Sequence, residues 1–167
     1  MFRPWSAWGT VARAGFVAGA LDIADAFLVS GIRGVSPGRV LRHIASGVLG
    51  PGAAQGGVPA ALLGLLFHFT IATGAAATYF LASRRFPLLI RRPIVCGIIF
   101  GLCVWVVMHY VILPASLVRM GPGPQLGWPL VNMLGIHMFG VGVPIAWITA
   151  KNAKPEERQQ AEGKRQK

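Results

Sequence analysis

The chain is 167 residues long, 54% hydrophobic and only 13% charged, with a mean hydropathy of +0.58. An ordinary soluble domain carries about 25% charged residues, so composition excludes that class. The net charge of +11 would suit nucleic acid, but the basic residues gather at the ends of apolar runs, as topology signals do, so no nucleic-acid partner is expected.

The expected fold is all-α: a polytopic membrane protein with four transmembrane helices. A helical span needs about 20 mostly apolar residues. Four segments qualify, about 11–31, 58–82, 93–113 and 128–150. Together they make one domain, 1–150, followed by a charged tail, 151–167. The first run imitates a signal peptide, but it carries two Asp residues and no convincing cleavage site follows, so it reads as retained. Pro93 and Pro129 suit helix starts and Pro114 a stop. Pro144 falls inside span four and should kink it.

Basic residues set the direction. Arg3 and Arg13 precede span one, four Arg lie between spans two and three, and six Lys or Arg follow span four. Those twelve face only four on the other side: Arg33, Arg39, Arg42 and Arg119. The richer side should be cytoplasmic, with both termini there. Trp5, Trp8, Trp128 and Trp147 stand near span ends as interfacial anchors.

The first outer loop has a pattern of its own. Ser36-Pro37 is a helix start, with Ser as N-cap and Pro at N1. Gly50-Pro51 is a stop. Between them Val40, Leu41, Ile44, Val48 and Leu49 recur at helical spacing, while Arg39, Arg42, His43 and Ser46 fall mostly on the other side. The spacing predicts a short amphipathic helix over 37–49, either plugging the bundle mouth or touching lipid headgroups or a ligand. Residues 120–127, rich in Gly and Pro, read as a turn-rich outer loop. The polar tail reads as a solvated anchor.

Ionisable side chains within a bilayer are costly and mark function by default. The spans hold five: Asp22, Asp25, His68, His109 and His137. They fall on faces marked by small residues: Gly15 and Gly19 with Asp22, Ala60, Gly64, Ala72 and Ala76 with His68, Gly97 and Gly101 with His109, Gly140 with His137. Small residues mark faces where membrane helices pack closely. Asp22, His68 and His137 lie about eight to ten residues from the outer end, roughly 12–15 Å. Asp25 and His109 lie about one turn nearer the outside. A single polar layer in the outer half is therefore permitted. Two carboxylates at i, i+3 in low dielectric call for a proton or a cationic partner, and the three histidines, or Arg33 reaching back to Asp25, are the candidates. A helix-gluing Asp–His or Asp–Arg bond is the simpler reading of the same residues. Cys96 and Cys103, seven apart in span three, cannot pair and read as packing residues.

The strings RGVSPGRVLRHIASGVLG, GGVPAALLGLLFHFTIA and VMHYVILPASL resemble a family of small four-helix bacterial inner-membrane proteins. They are loosely similar to the YagU-type proteins, and that resemblance implies a role in acid survival. It supplies no catalytic residues.

Three functions compete. The first is a non-enzymatic membrane protein whose buried Asp/His layer responds to protons, in acid or envelope stress; it needs no cofactor. The second is a redox or metal protein, with two histidines as axial ligands of haem b, or a transition metal held among His68, His137, His109 and Asp22. The third is a small oligomeric transporter or an accessory subunit of a larger membrane complex; one chain has little room for two gating halves. No nucleophile–base spacing points to an enzyme. Beyond the lipid bilayer, a homo-oligomer is the partner the chain's size suggests.

Overall fold

A computed structural model describes residues 7–118 and 126–153. The predicted loop over 120–127 lies mostly outside them, as do Arg3, Trp5, Arg119 and the tail from residue 154. The described residues are mostly helical, with no strand among them.

Four helices are long and apolar enough to cross a membrane: α1 (Ala7–Ile32), α3 (Gly57–Arg85), α5 (Pro93–Ala115) and α6 (Trp128–Lys151). Two short α-helices, α2 (Pro37–Leu49) between α1 and α3 and α4 (Leu88–Arg91) between α3 and α5, and a 3-10 helix at Pro51–Gln55 complete the order. The fold is all-α and polytopic. Each span contains the stretch its sequence predicted, extended by a few residues. α2 occupies the predicted 37–49.

The local signals act through the backbone. Pro93 and Pro129 lie in the first turns of their helices, where a missing N–H is not needed. Ser36 takes an extended N-cap conformation, but its hydroxyl makes no capping bond; Pro37 at N1 suffices. Gly50, at φ 84°, ends α2 and donates its N–H to the Ser46 carbonyl at 2.8 Å. Pro144 does more than kink its helix. The chain ahead of it, Ile136–Gly142, is wound as a π-helix, and so is Met108–Ile112 ahead of Pro114. A proline ring clashes with the carbonyl four residues earlier, and a wider turn relieves that clash.

The bundle has two unlike halves. At the base, where α1 begins and α6 finishes, Val11, Ala14, Ala18, Ala76, Tyr79, Val141, Ile145 and Ala146 form a close-packed core. Tyr79 sets its ring edge against Phe100 at 5.0 Å and donates its hydroxyl to the Leu89 carbonyl at 3.0 Å. The other end is capped by α2. Outside, Phe16, Leu62, Leu66, Ile99 and Phe139 stand exposed, a girdle that only hydrocarbon accommodates. Exposed Trp8, Trp128 and Trp147 stand near the span ends, and Lys151 lies over the Trp147 ring at 5.1 Å.

Candidate functional site

Glycine fixes where the spans meet. A Cβ on Gly15 would lie 2.6 Å from the Thr73 Cα, and one on Gly19 would lie 2.9 Å from the Phe69 ring. Helices α1 and α3 therefore touch backbone to backbone. Between α5 and α6 a Cβ on Gly97 would lie 2.8 Å from the Val143 Cα, and one on Gly101 would fall onto the His137 carbonyl. Both contacts occur at mid-bundle or below. Above them lies a cavity of about 650 Å³.

Its floor is Ala18, Ala75 and Val141, the upper edge of the packed core. Its roof is Val40, Ile44, Gly47 and Val48 of α2, with Ser116–Val118 following α5. The roof is tied down. Leu117 donates its N–H to the Gly47 carbonyl at 2.8 Å, and the Arg42 Nε donates to the Ala54 carbonyl at 2.9 Å. Gly64 lets α3 touch α2 directly, because a Cβ there would fall onto the Leu41 carbonyl.

Four of the five predicted intramembrane groups line this cavity: Asp22, His68, His109 and His137. The His68 Nε2 bonds the Gly19 carbonyl at 2.8 Å, across the α1–α3 contact. The His109 Nδ1 bonds the Trp105 carbonyl at 3.0 Å, and the His137 Nδ1 bonds the Met133 carbonyl at 2.8 Å, each one turn back on its own helix. Both residues sit in the π turns, a conformation common at functional sites. Their rings lie 6.4 Å apart, inclined at 71°, with Trp105 stacked on His109 at 4.8 Å.

Asp25 does not join the layer. It accepts a hydrogen bond from the Asn132 amide at 2.8 Å, tying α1 to α6 outside the cavity lining. Its partner is thus a neutral amide rather than Arg33 or a histidine. No Asp–His or Asp–Arg ion pair was found among the described residues, and the Asp22 carboxylate makes neither a hydrogen bond nor a salt bridge there. Asn132 was not singled out from sequence, although a lone amide one turn into span four was a visible signal.

The surface-helix trio divides. Arg39 is exposed, Arg42 is half-buried on its carbonyl partner, and His43 lines the cavity. Ser46, expected on the polar side, is 2% exposed and donates its hydroxyl to the His43 carbonyl. The reason is tertiary. α2 is wedged against α3 through Leu41 and Ala45, which turns part of its polar side inwards.

Among the described residues no group of three His, Cys, Asp or Glu side chains is arranged to hold a metal ion. Cys96 and Cys103 are free thiols away from the cavity lining. No protein-family model, curated protein or solved structure matches this chain.

Proposed function

We propose that this chain is a non-enzymatic integral protein of a bacterial inner membrane, with both termini cytoplasmic, whose cavity responds to protons arriving from the outer side. One observation carries the reading: four ionisable side chains from four spans line one cavity, beneath a hydrogen-bonded roof, without an ion pair among them. Protonating an imidazole there places a positive charge in the cavity. Two such charges at the His109–His137 separation of 6.4 Å repel by roughly 2–3 kcal/mol at an effective dielectric of about 20. The tight Gly101–His137 contact keeps α5 and α6 from parting at that level. The strain is taken up above it, in the π turns and the roof. External acid therefore loosens the capped half and leaves the base intact. The likeness to YagU-type proteins points to acid survival as the physiological readout.

The test is histidine-selective NMR of the protein in nanodiscs between pH 8 and pH 5, with hydrogen exchange across α2. Protonation of the cavity imidazoles should show in the histidine signals, and α2 should exchange faster at the acid end. Imidazoles that stay neutral to pH 5, or an α2 indifferent to their protonation, would end this reading.

A second reading is favoured by the His109–His137 pair. Each ring has its Nδ1 anchored on a backbone carbonyl, which leaves Nε2 free, as metal- or haem-ligating histidines usually have it. The apolar cavity beside them is of a size that ligand pockets take. A Soret band in the purified protein would favour it, and its absence together with no stoichiometric metal would remove it.

A further inference from the structure

The same cavity has a ligand chemistry, set by which atoms hold protons. A backbone carbonyl only accepts, so the ring nitrogen bonded to it must carry the hydrogen. His68 commits its N–H to Gly19, His109 to Trp105 and His137 to Met133. The second nitrogen of each neutral ring is then a lone-pair acceptor, and none of the three has a hydrogen-bond partner among the described residues. The Ser116 hydroxyl is likewise turned onto the Leu113 and Val118 carbonyls, so it too offers only its lone pairs. Asp22 adds a carboxylate.

The deep wall thus presents acceptors alone. His43, on the roof, is the one titratable lining residue whose N–H makes no bond among the described residues. Among the described residues no Lys or Arg lines the cavity, and Asp25 is engaged with Asn132. The remaining lining is almost wholly aliphatic. An ionised carboxylate at membrane depth costs several kcal/mol unless a cation joins it. Among the described residues none lines the cavity.

We propose that this cavity binds a small organic cation, a protonated amine with an apolar body, its N–H groups on Asp22 and the imidazole nitrogens and its hydrocarbon against the aliphatic wall. An organic cation suits the site better than a metal ion, because among the described residues no three ligating side chains are arranged around a point. Release by acid rests on the proton-responsive reading: each protonated imidazole turns its lone pair into a donor and adds a positive charge beside the ammonium. The ammonium can come from a free amine or from a phosphatidylethanolamine headgroup.

The experiment is calorimetric titration of n-hexylammonium into the full chain in phosphatidylcholine nanodiscs, with empty discs subtracted. At pH 8 one equivalent should bind, while hexanol and hexanoate should not. Asp22→Asn, or wild type at pH 5, should weaken binding at least tenfold. Val104→Phe narrows the cavity without removing a titratable group and should weaken binding, which keeps the test intact if Asp22→Asn fails to fold. Hexanol binding as tightly as hexylammonium, or hexylammonium unaffected by both substitutions, overturns the proposal. Discs containing phosphatidylethanolamine separate the sources: competition assigns the headgroup, and unchanged affinity assigns the free amine. Histidines that titrate while hexylammonium fails to bind would remove this inference and leave the proton response standing; binding without histidine titration would do the reverse.

Discussion

The two halves of the bundle are built from the same four helices and obey different rules. At the base, Ala14, Ala18, Ala76 and Ala146 are small enough to bring the helices together around Tyr79 and Ile145, all nearly fully buried. In the capped half the same helices carry Asp22, His68, His109 and His137, and a cavity separates them. The base gains stability from dispersion and close fit. The capped half forgoes that gain and holds instead a set of polar groups only partly satisfied by the protein. Packing density marks the structural half, and its lack marks the half with chemistry.

That contrast can be broken or sharpened by substitution, measured as unfolding free energy in mixed micelles. Ile145→Ala empties a fully buried position of the base and should cost about 2–5 kcal/mol. Gly101→Ala drives a methyl group onto the His137 carbonyl and should cost about 1–3 kcal/mol, while Gly74→Ala, with nothing within 4 Å, should be neutral or slightly stabilising. Asn132→Leu strips Asp25 of its hydrogen bond and should cost roughly 1–2 kcal/mol. Met108→Ala only enlarges an existing cavity and should cost less than about 1 kcal/mol, since little packing is lost. A Met108→Ala cost equal to that of Ile145→Ala would show the capped half to be as tightly packed as the base. Acidification supplies the mildest probe: hydrogen exchange should quicken in α2 and stay unchanged around Tyr79.

Much of this was legible in the residues. Span length is a local property of apolar runs, so all four spans could be read directly. Proline at 93 and 129 and glycine at 50 mark ends because each acts on its own backbone. Counting along straight helices set Asp22, His68 and His137 at one depth with Asp25 and His109 about one turn further out; four of the five line the cavity, and Asp25 does not. What escaped was set by contacts between elements. Gly64 meets the Leu41 carbonyl, and only that contact decides that Ser46 is buried and that His43, still exposed, borders the cavity. Asp25 and Asn132 are 107 residues apart, and no periodicity links them. The π turns escaped as well, since a helical wheel assumes 3.6 residues per turn everywhere and places Pro144 as a simple kink.

Those two turns have a consequence for comparing this protein with others. In an α-helix each residue advances the chain by about 100°, and a π turn accommodates one residue more than an α turn. Removing a single residue from Met108–Ile112 or Ile136–Gly142 would restore regular winding and move the side chains of that turn onto other faces. Both histidines would still stand in the sequence, yet they would no longer converge. In this fold the spacing between histidine and proline, five residues from His109 to Pro114 and seven from His137 to Pro144, aims the imidazoles. A homologue is best judged to share the site by keeping those intervals, not by keeping the histidines alone.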